Sequence, residues 1–176
     1  ANGLAIEASN VTIDSLAINR FGGSGVLISG GANNTVQSSF IGTDATGTTL
    51  LANGRGITID GSSDNLIGGS KPDHKNVISG NIIGVVISGA GATGNAVVGN
   101  LIGVNPTGTG AGGNRGAGVQ IDGAADNFIG GTAPEDRNLI SANGGSGVRI
   151  SGLAAKGNRV IGNYIGTDIS GTKSLG

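Results

Sequence analysis

Short apolar segments with a period of two recur along the whole chain. Each begins with glycine and carries aliphatic residues at the next position and two positions later, as in Gly25-Val-Leu-Ile-Ser-Gly30 and Gly56-Ile-Thr-Ile-Asp-Gly61. Alternate residues of a strand point to opposite faces, so both aliphatic residues lie on one face of a short strand. The pattern predicts a half-buried strand that returns roughly every 30 residues. Its copies begin at Gly25, Gly56, Gly84, Gly118 and Gly147.

A second marker of the repeat is an asparagine that precedes another short apolar segment. Its members are Asn34, Asn65, Asn95, Asn127 and Asn158. A short strand with one apolar face is not stable alone, but stacking on its equivalent in the next repeat gives it a backbone ladder and a continuous core. Asparagine tolerates the left-handed backbone of a sharp turn, and stacked amides can bond to one another. We therefore predict a structural ladder of asparagines at this corner.

The segments between the strands alternate between two designs. One is Ile-Gly-Thr-Asp-Ala-Thr-Gly-Thr at 41–48, which returns in modified form at 102–109 and 165–172. Aspartate or asparagine opens a turn here, and a glycine three residues later supplies a positive φ. The other is Gly-Ser-Lys-Pro-Asp-His-Lys-Asn at 69–76, which returns at 131–138. The larger repeating unit is therefore a pair of coils.

These patterns predict an all-β, single-domain solenoid, a single-stranded right-handed parallel β-helix of about six coils of roughly 30 residues. Residues 1–24 form a degenerate first coil, and the others span 25–55, 56–83, 84–117, 118–146 and 147–176. Terminal repeats normally need a cap. We therefore expect flanking domains, or end-to-end self-association, to cover the open C-terminal coil.

Composition narrows the function classes. The formal net charge is −1 with the basic residues scattered, which argues against nucleic-acid binding. No apolar run approaches the ~20 residues of a membrane span. The chain has no cysteine, so no disulfide framework or thiolate metal site is available. With one tyrosine and three phenylalanines, the core must be aliphatic. A cysteine-free chain rich in Gly, Asn, Ser and Thr suits a bacterial protein that is secreted or displayed on the cell surface.

Two segments of the form Asn-x-Val-x-Gly-Asn-x-Ile, at 95–102 and 158–165, resemble repeats of the pectin-lyase-like superfamily. Polysaccharide lyases, mannuronan epimerases and large bacterial surface proteins share this parallel β-helix. The resemblance covers essentially the whole chain and implies the architecture. It implies the chemistry much less, because one scaffold hosts many functions.

The resemblance implies a sugar groove on the outward face of the first strand of each coil. Thr58, Gln120 and Arg149 occupy equivalent outward positions and are candidates for substrate binding. Asp60 and Asp122 lie two coils apart, about 10 Å by strand stacking. This is near the upper limit for the two carboxylates of an inverting glycosidase. With Arg149 to neutralise a uronate, they are candidate catalytic residues. The simpler interpretation is that each Asp-Gly closes its strand as a turn.

Asp64 and Asp126 precede the ladder asparagines and are candidate calcium ligands, because hard oxygen donors on a turn suit Ca²⁺. Capping of the turn backbone is the simpler role for both. His74 is the only histidine, and the equivalent loop at 131–138 lacks one. We expect no cofactor, with Ca²⁺ at Asp64 or Asp126 as the one alternative.

Two functional hypotheses follow. The first is a non-catalytic β-helical module of a secreted or surface-attached bacterial protein, structural or weakly glycan-binding. Its near-uniform coils and the lack of long loops over the groove favour it. The alternative is a polysaccharide lyase, epimerase or hydrolase domain acting on an acidic polysaccharide. Polysaccharide is the possible partner in both.

Overall fold

The computed structural model describes residues 1–176 and shows the predicted right-handed parallel β-helix. Eighteen short strands form three parallel sheets of six strands each, and every coil contributes one strand to each sheet. Sheet A contains β1 (Leu4–Ile6), β4 (Ser24–Ile28), β7 (Arg55–Asp60), β10 (Ile83–Ser88), β13 (Val119–Asp122) and β16 (Val148–Ser151). Sheet B contains β2 (Thr12–Asp14), β5 (Thr35–Gln37), β8 (Leu66–Gly68), β11 (Ala96–Val98), β14 (Phe128–Gly130) and β17 (Arg159–Ile161). Sheet C contains β3 (Ala17–Ile18), β6 (Phe40–Ile41), β9 (Val77–Ile78), β12 (Leu101–Ile102), β15 (Leu139–Ile140) and β18 (Tyr164–Ile165).

The two coil types differ in the corner that carries the longer connection. In one type, residues 42–54 connect sheet C to sheet A, and 103–118 do the same two coils later. In the other type the connection from sheet B to sheet C is longer and holds a 3₁₀ turn, Pro72–His74 or Pro134–Asp136. These turns are the only helical segments, and no helix is long and apolar enough to cross a membrane.

The strands are in register, so equivalent inward side chains stack into columns. Val26 pairs with Ile57, which pairs with Val85, which pairs with Val119. The main core holds 20 buried residues, all isoleucine, valine or alanine, which confirms the predicted aliphatic interior. A small second cluster lies on the outward side of sheet C and contains Val77, Leu101, Val104 and Leu139.

Asparagine ladders follow all three corners of the coil. The predicted ladder of Asn34, Asn65, Asn95, Asn127 and Asn158 is confirmed. Two ladders that the sequence interpretation did not identify run through Asn76, Asn100, Asn138 and Asn163, and through Asn53, Asn81, Asn114 and Asn143. Every buried side-chain nitrogen and oxygen has a hydrogen-bond partner.

The left-handed turn residue is not the ladder asparagine, which corrects one detail of the sequence interpretation. The positive φ belongs to the residue before it, as in Asn33 (59°), Asp64 (56°), Gly94 (68°) and Asp126 (57°). The ladder amides therefore serve hydrogen bonding alone.

The first coil carries apolar residues where later coils carry ladder residues. The backbone N–H groups of Val11, Leu16 and Phe21 donate to Asn34 Oδ1 (2.9 Å), Ser39 Oγ (3.2 Å) and Asn53 Oδ1 (3.0 Å). At these three positions the first coil therefore has no side-chain amide that could accept a ladder hydrogen bond. At the other end, Ile150, Val160 and Ile165 of the last coil are 40–47% exposed.

Candidate functional site

Four of the predicted site residues line one shallow groove on the outer face of sheet A. Because the strands are in register, Thr58 aligns with Val86 and Gln120, and Asp60 aligns with Ser88 and Asp122. The groove encloses about 400 Å³ and also includes Arg55. The four side chains thus share one surface, as the pattern of outward positions predicts, and their role in binding or catalysis stays a prediction.

The two candidate catalytic carboxylates do not lie on adjacent coils. Ser88 is in register with both Asp60 and Asp122 and separates them by one whole strand. Asp60 Oδ1 accepts a hydrogen bond from Ser88 Oγ at 3.1 Å, and Asp122 Oδ1 accepts one from Ser151 Oγ at 3.2 Å. Each exposed carboxylate is thus tied to a serine hydroxyl of the following coil, and two strand spacings place the two about 10 Å apart.

Two of the candidate substrate-binding residues are placed less favourably. The Thr58 side chain is only 8% exposed, and its Oγ1 lies 2.8 Å from Ser24 Oγ. Arg149 is in register with Gln120 but lies one coil beyond the groove. Arg55 supplies a positive charge in the groove instead. The sequence interpretation missed Arg55 because it lies just before the glycine taken as the start of the strand.

Asp64 and Asp126 lie at the corner between sheets A and B and adopt the left-handed backbone conformation. Each side chain lies over a glycine of the next coil, and a Cβ on Gly94 or Gly157 would collide with the Oδ1 of Asp64 or Asp126, respectively. Nowhere in the chain do three or more His, Asp or Glu side chains gather as a metal-binding group. A calcium ion at Asp64 or Asp126 stays a prediction.

The turns opened by Asp44 and Asp168 are held together by hydrogen bonds to the aspartate side chains. Asp44 Oδ1 accepts from Thr46 Oγ1 (2.9 Å) and from the backbone N–H groups of Thr48 (3.0 Å) and Thr49 (3.2 Å). Desolvation raises the pKa of Asp44, but the hydrogen bonds from Thr49 and Thr46 outweigh it and hold that pKa well below its usual range. A hydrogen bond from Ser170 is the main cause that lowers the pKa of Asp168. These aspartates are turn formers, as the sequence predicts.

A second cavity, of about 170 Å³, lies outside the outward face of sheet C. Two connections form its rim, and β18 contributes Tyr164; its charged or hydroxyl-bearing lining residues are Ser70, Lys75, Glu135, Arg137 and Tyr164. The Arg137 guanidinium carbon lies 4.0 Å from the centre of the Tyr164 ring, and Arg137 Nε donates to Gly162 O at 2.9 Å. The sequence signal for this cavity is the basic residue at the end of both proline-containing connections, Lys75 and Arg137.

Neither protein-family models, nor curated proteins, nor solved structures gave a match to this chain. The fold and the two surfaces described above therefore carry the functional argument.

Proposed function

We propose that the chain is a non-catalytic β-helical module, related to the pectin-lyase-like superfamily, of a secreted or surface-attached bacterial protein. It acts as a structural element and binds a glycan weakly in the sheet A groove. The observation that carries the proposal is the row of outward polar side chains in one open groove, Arg55, Asp60, Gln120 and Asp122. Such donors and acceptors along a parallel sheet suit the hydroxyl groups of an extended sugar chain.

The hydrogen bonding of the carboxylates supports a binding role over a catalytic one. Asp60 and Asp122 each accept a serine hydroxyl and have a serine-bearing coil between them. A retaining glycosidase needs its two carboxyl groups about 5 Å apart, which is roughly the spacing of adjacent coils. An open, exposed groove also keeps water around both carboxylates, which weakens electrostatic stabilisation of a transition state.

A polysaccharide lyase, epimerase or hydrolase is the second candidate. It is favoured by one observation, that both carboxylates line the same groove with Arg55. Their separation of about 10 Å lies just beyond the carboxyl spacing of inverting glycosidases, about 6.5 to 9.5 Å.

The experiment that tests the proposal measures binding and product release on the same polysaccharides. The panel includes acidic and neutral polymers, among them pectate and alginate, each with calcium and with chelator. We expect weak binding without turnover, and we expect Gln120→Ala to weaken binding several-fold. Gln37→Ala is the matched control, because Gln37 lies on sheet B and should leave binding unchanged.

Two results would change the conclusion. Turnover that is lost in Asp122→Asn would place the protein among the enzymes and locate the reaction in the sheet A groove. Binding that Gln120→Ala and Gln37→Ala reduce equally, or no binding at high protein concentration, would remove the glycan-binding role.

A further inference from the structure

We infer that the cavity lined by Lys75, Glu135, Arg137 and Tyr164, here called the Arg137 cavity, binds a single hydroxylated ring that carries an anionic group. The cavity lies at the outward side of sheet C, whereas the groove proposed for glycan binding lies on sheet A. The inference therefore does not depend on the function of that groove.

Arg137 is positioned to receive an anion. Its side chain is half-buried and is fixed by two contacts, the Tyr164 ring at 4.0 Å and the Gly162 carbonyl at 2.9 Å from Nε. The terminal nitrogens of the guanidinium make no hydrogen bond within the protein. A planar guanidinium that is already ordered matches a carboxylate with two parallel hydrogen bonds and loses little further entropy.

The charged residues around Arg137 favour a ligand that carries hydrogen-bond donors as well as an anionic group. Lys75 adds a second positive charge to the cavity and Glu135 adds a negative one. An inorganic anion could bind Arg137 and Lys75, but it would offer Glu135 no hydrogen-bond donor. A ring with hydroxyl groups can donate to Glu135 while its anionic group binds Arg137 and Lys75.

The size and the walls of the cavity limit the ligand to one ring. About 170 Å³ is below the ~300 Å³ at which sites for drug-sized ligands begin. Pro72, Pro134 and Leu139 supply apolar surface for the carbon face of a ring, and Tyr164 lies beside them. A longer chain would have to leave the cavity for solvent after its first unit.

The repeat itself provides an internal comparison. Arg137 directly precedes the ladder residue Asn138. Tyr164 directly follows Asn163, the next asparagine of the same ladder. At the equivalent places two coils earlier the chain has Lys75 and Leu101. The guanidinium-aromatic pair is therefore specific to one unit, and it does not follow from the geometry of the coil.

The test titrates the chain separately with glucuronate, glucose and inorganic sulfate. Isothermal titration calorimetry measures the affinity, and NMR amide chemical shifts locate the binding site. Glucuronate supplies the ring and the carboxylate, glucose the ring alone, and sulfate the charge alone. We expect glucuronate to bind at least about tenfold more tightly than either of the others, because both halves of the site are then used. The largest shifts should fall at Arg137 and Tyr164, away from Gln120.

Matched arginine variants test whether the guanidinium group of Arg137 binds the carboxylate of glucuronate. Arg137→Gln should weaken glucuronate binding about tenfold, and Arg137→Lys should weaken it less. Arg159→Gln is the control, since Arg159 also lies near an aromatic ring, at 5.7 Å from the Phe128 centre, but on sheet B. Circular dichroism and thermal unfolding establish that each variant is folded.

Three outcomes would overturn the inference. One is equal affinity for sulfate and glucuronate, which would leave an anion site without a ring. Another is equal loss of binding in Arg137→Gln and Arg159→Gln. The third is the absence of glucuronate-dependent shifts at the cavity in the folded parent chain, whatever happens at the sheet A groove.

Discussion

At the scale of the residue, the side-chain amide of Asn95, in the middle of its ladder, is fully used by hydrogen bonds. Asn95 Oδ1 accepts from the backbone N–H of Asn65 (2.9 Å) and from Asn65 Nδ2 (2.8 Å). Asn95 Nδ2 donates to Asn127 Oδ1 (3.0 Å) in the following coil and to Ser62 O (3.1 Å) in the preceding one. Both amide hydrogens and the amide oxygen are thus satisfied, which only an amide of this length achieves.

Asn95→Asp should destabilise the fold by several kcal/mol. The aspartate would place an oxygen where Nδ2 now faces the oxygens of Asn127 and Ser62, and Asn95 is fully buried. A buried carboxylate without a cation loses both donor contacts, and a carboxyl group forced to protonate keeps only one of them. Denaturant unfolding at neutral pH measures the loss.

The same substitution at Asn105 provides the control. Asn105 Oδ1 accepts from Thr107 Oγ1 and from two backbone N–H groups, as Asp44 Oδ1 does two coils earlier. Asn105→Asp should therefore change the free energy of unfolding at neutral pH by no more than about 0.5 kcal/mol. Similar losses in Asn95→Asp and Asn105→Asp would refute the role assigned to the ladder amide.

The sequence interpretation found one of the three ladders for a physical reason. Neighbours in the Asn34 ladder are 30–32 residues apart. In the Asn76 ladder the separations are 24, 38 and 25 residues, and in the Asn53 ladder they are 28, 33 and 29. The longer connection alternates between two corners. Each interval of the Asn34 ladder contains one long connection, whereas the intervals of the Asn76 ladder contain none or two. A search for one period finds only the ladder before sheet B.

At the scale of the element, aspartate and glycine alternate at the corner between sheets A and B from Asp64 to Gly157. Asp64 has its side chain over Gly94 of the next coil, and Asp126 has the same relation to Gly157. Asn33 occupies the same corner one coil before Asp64, so non-glycine residues also occur there on successive coils. At Gly94 and Gly157, however, a Cβ would meet the aspartate Oδ1 of the preceding coil, so these two positions require glycine.

Gly94→Ala should destabilise the protein more than a left-handed backbone alone explains. The φ of Gly94 is 68°, and a Cβ there would collide with Asp64 Oδ1. Gly61→Ala is the matched control, because Gly61 has a φ of 64° but open space around a Cβ. We expect about 1–2 kcal/mol for Gly61→Ala, from backbone strain, and a larger loss for Gly94→Ala in denaturant unfolding.

A double-mutant cycle separates the collision from the backbone strain. In an Asp64→Ala background the cost of Gly94→Ala should fall toward that of Gly61→Ala, because the colliding oxygen is gone. An unchanged cost in that background would show that the Asp64 side chain does not set the choice of glycine.

The two candidate surfaces differ in how far the sequence could predict them. The sheet A groove follows from strand alternation, because outward residues at equivalent positions of successive coils must align. The Arg137 cavity combines a connection of one coil, a connection two coils earlier and the only tyrosine of the chain. Such a combination depends on how the connections pack outside the sheets, which a repeat pattern does not determine.

At the scale of the whole molecule, the two ends of the solenoid do not complement one another. The backbone N–H of each ladder asparagine except the last donates to an asparagine of the following coil, as Asn127 donates to Asn158 Oδ1 at 2.9 Å. The corresponding residues of the first coil are Val11 and Leu16, which have no side-chain acceptor. Head-to-tail stacking of copies would bury the donors of Asn158 and Asn163 without partners, which is unfavourable. Self-association through the ends stays a prediction that this geometry argues against.

The response of the whole solenoid to acid follows from three aspartates distributed along it. Hydrogen bonds from Ser15 and then Gln37 lower the pKa of Asp14, and the pKa values of Asp44 and Asp168 are lowered within their connections. The unfolded chain binds protons near the ordinary aspartate pKa of about 3.9. The stability from these groups is therefore present above that pH and is lost as the pH falls through the lower folded values.

Variants of the equivalent connections should shift this acid response in opposite directions. Asp44→Asn with Asp168→Asn should lose less stability between pH 7 and pH 3 than the parent, because an amide keeps the turn without titrating, as Asn105 does. Asn105→Asp should lose more, since it adds a third carboxylate that the same hydrogen bonds keep ionised. Urea unfolding at both pH values measures the difference. Equal acid losses in all three proteins would mean that other carboxyl groups control the acid stability of the β-helix.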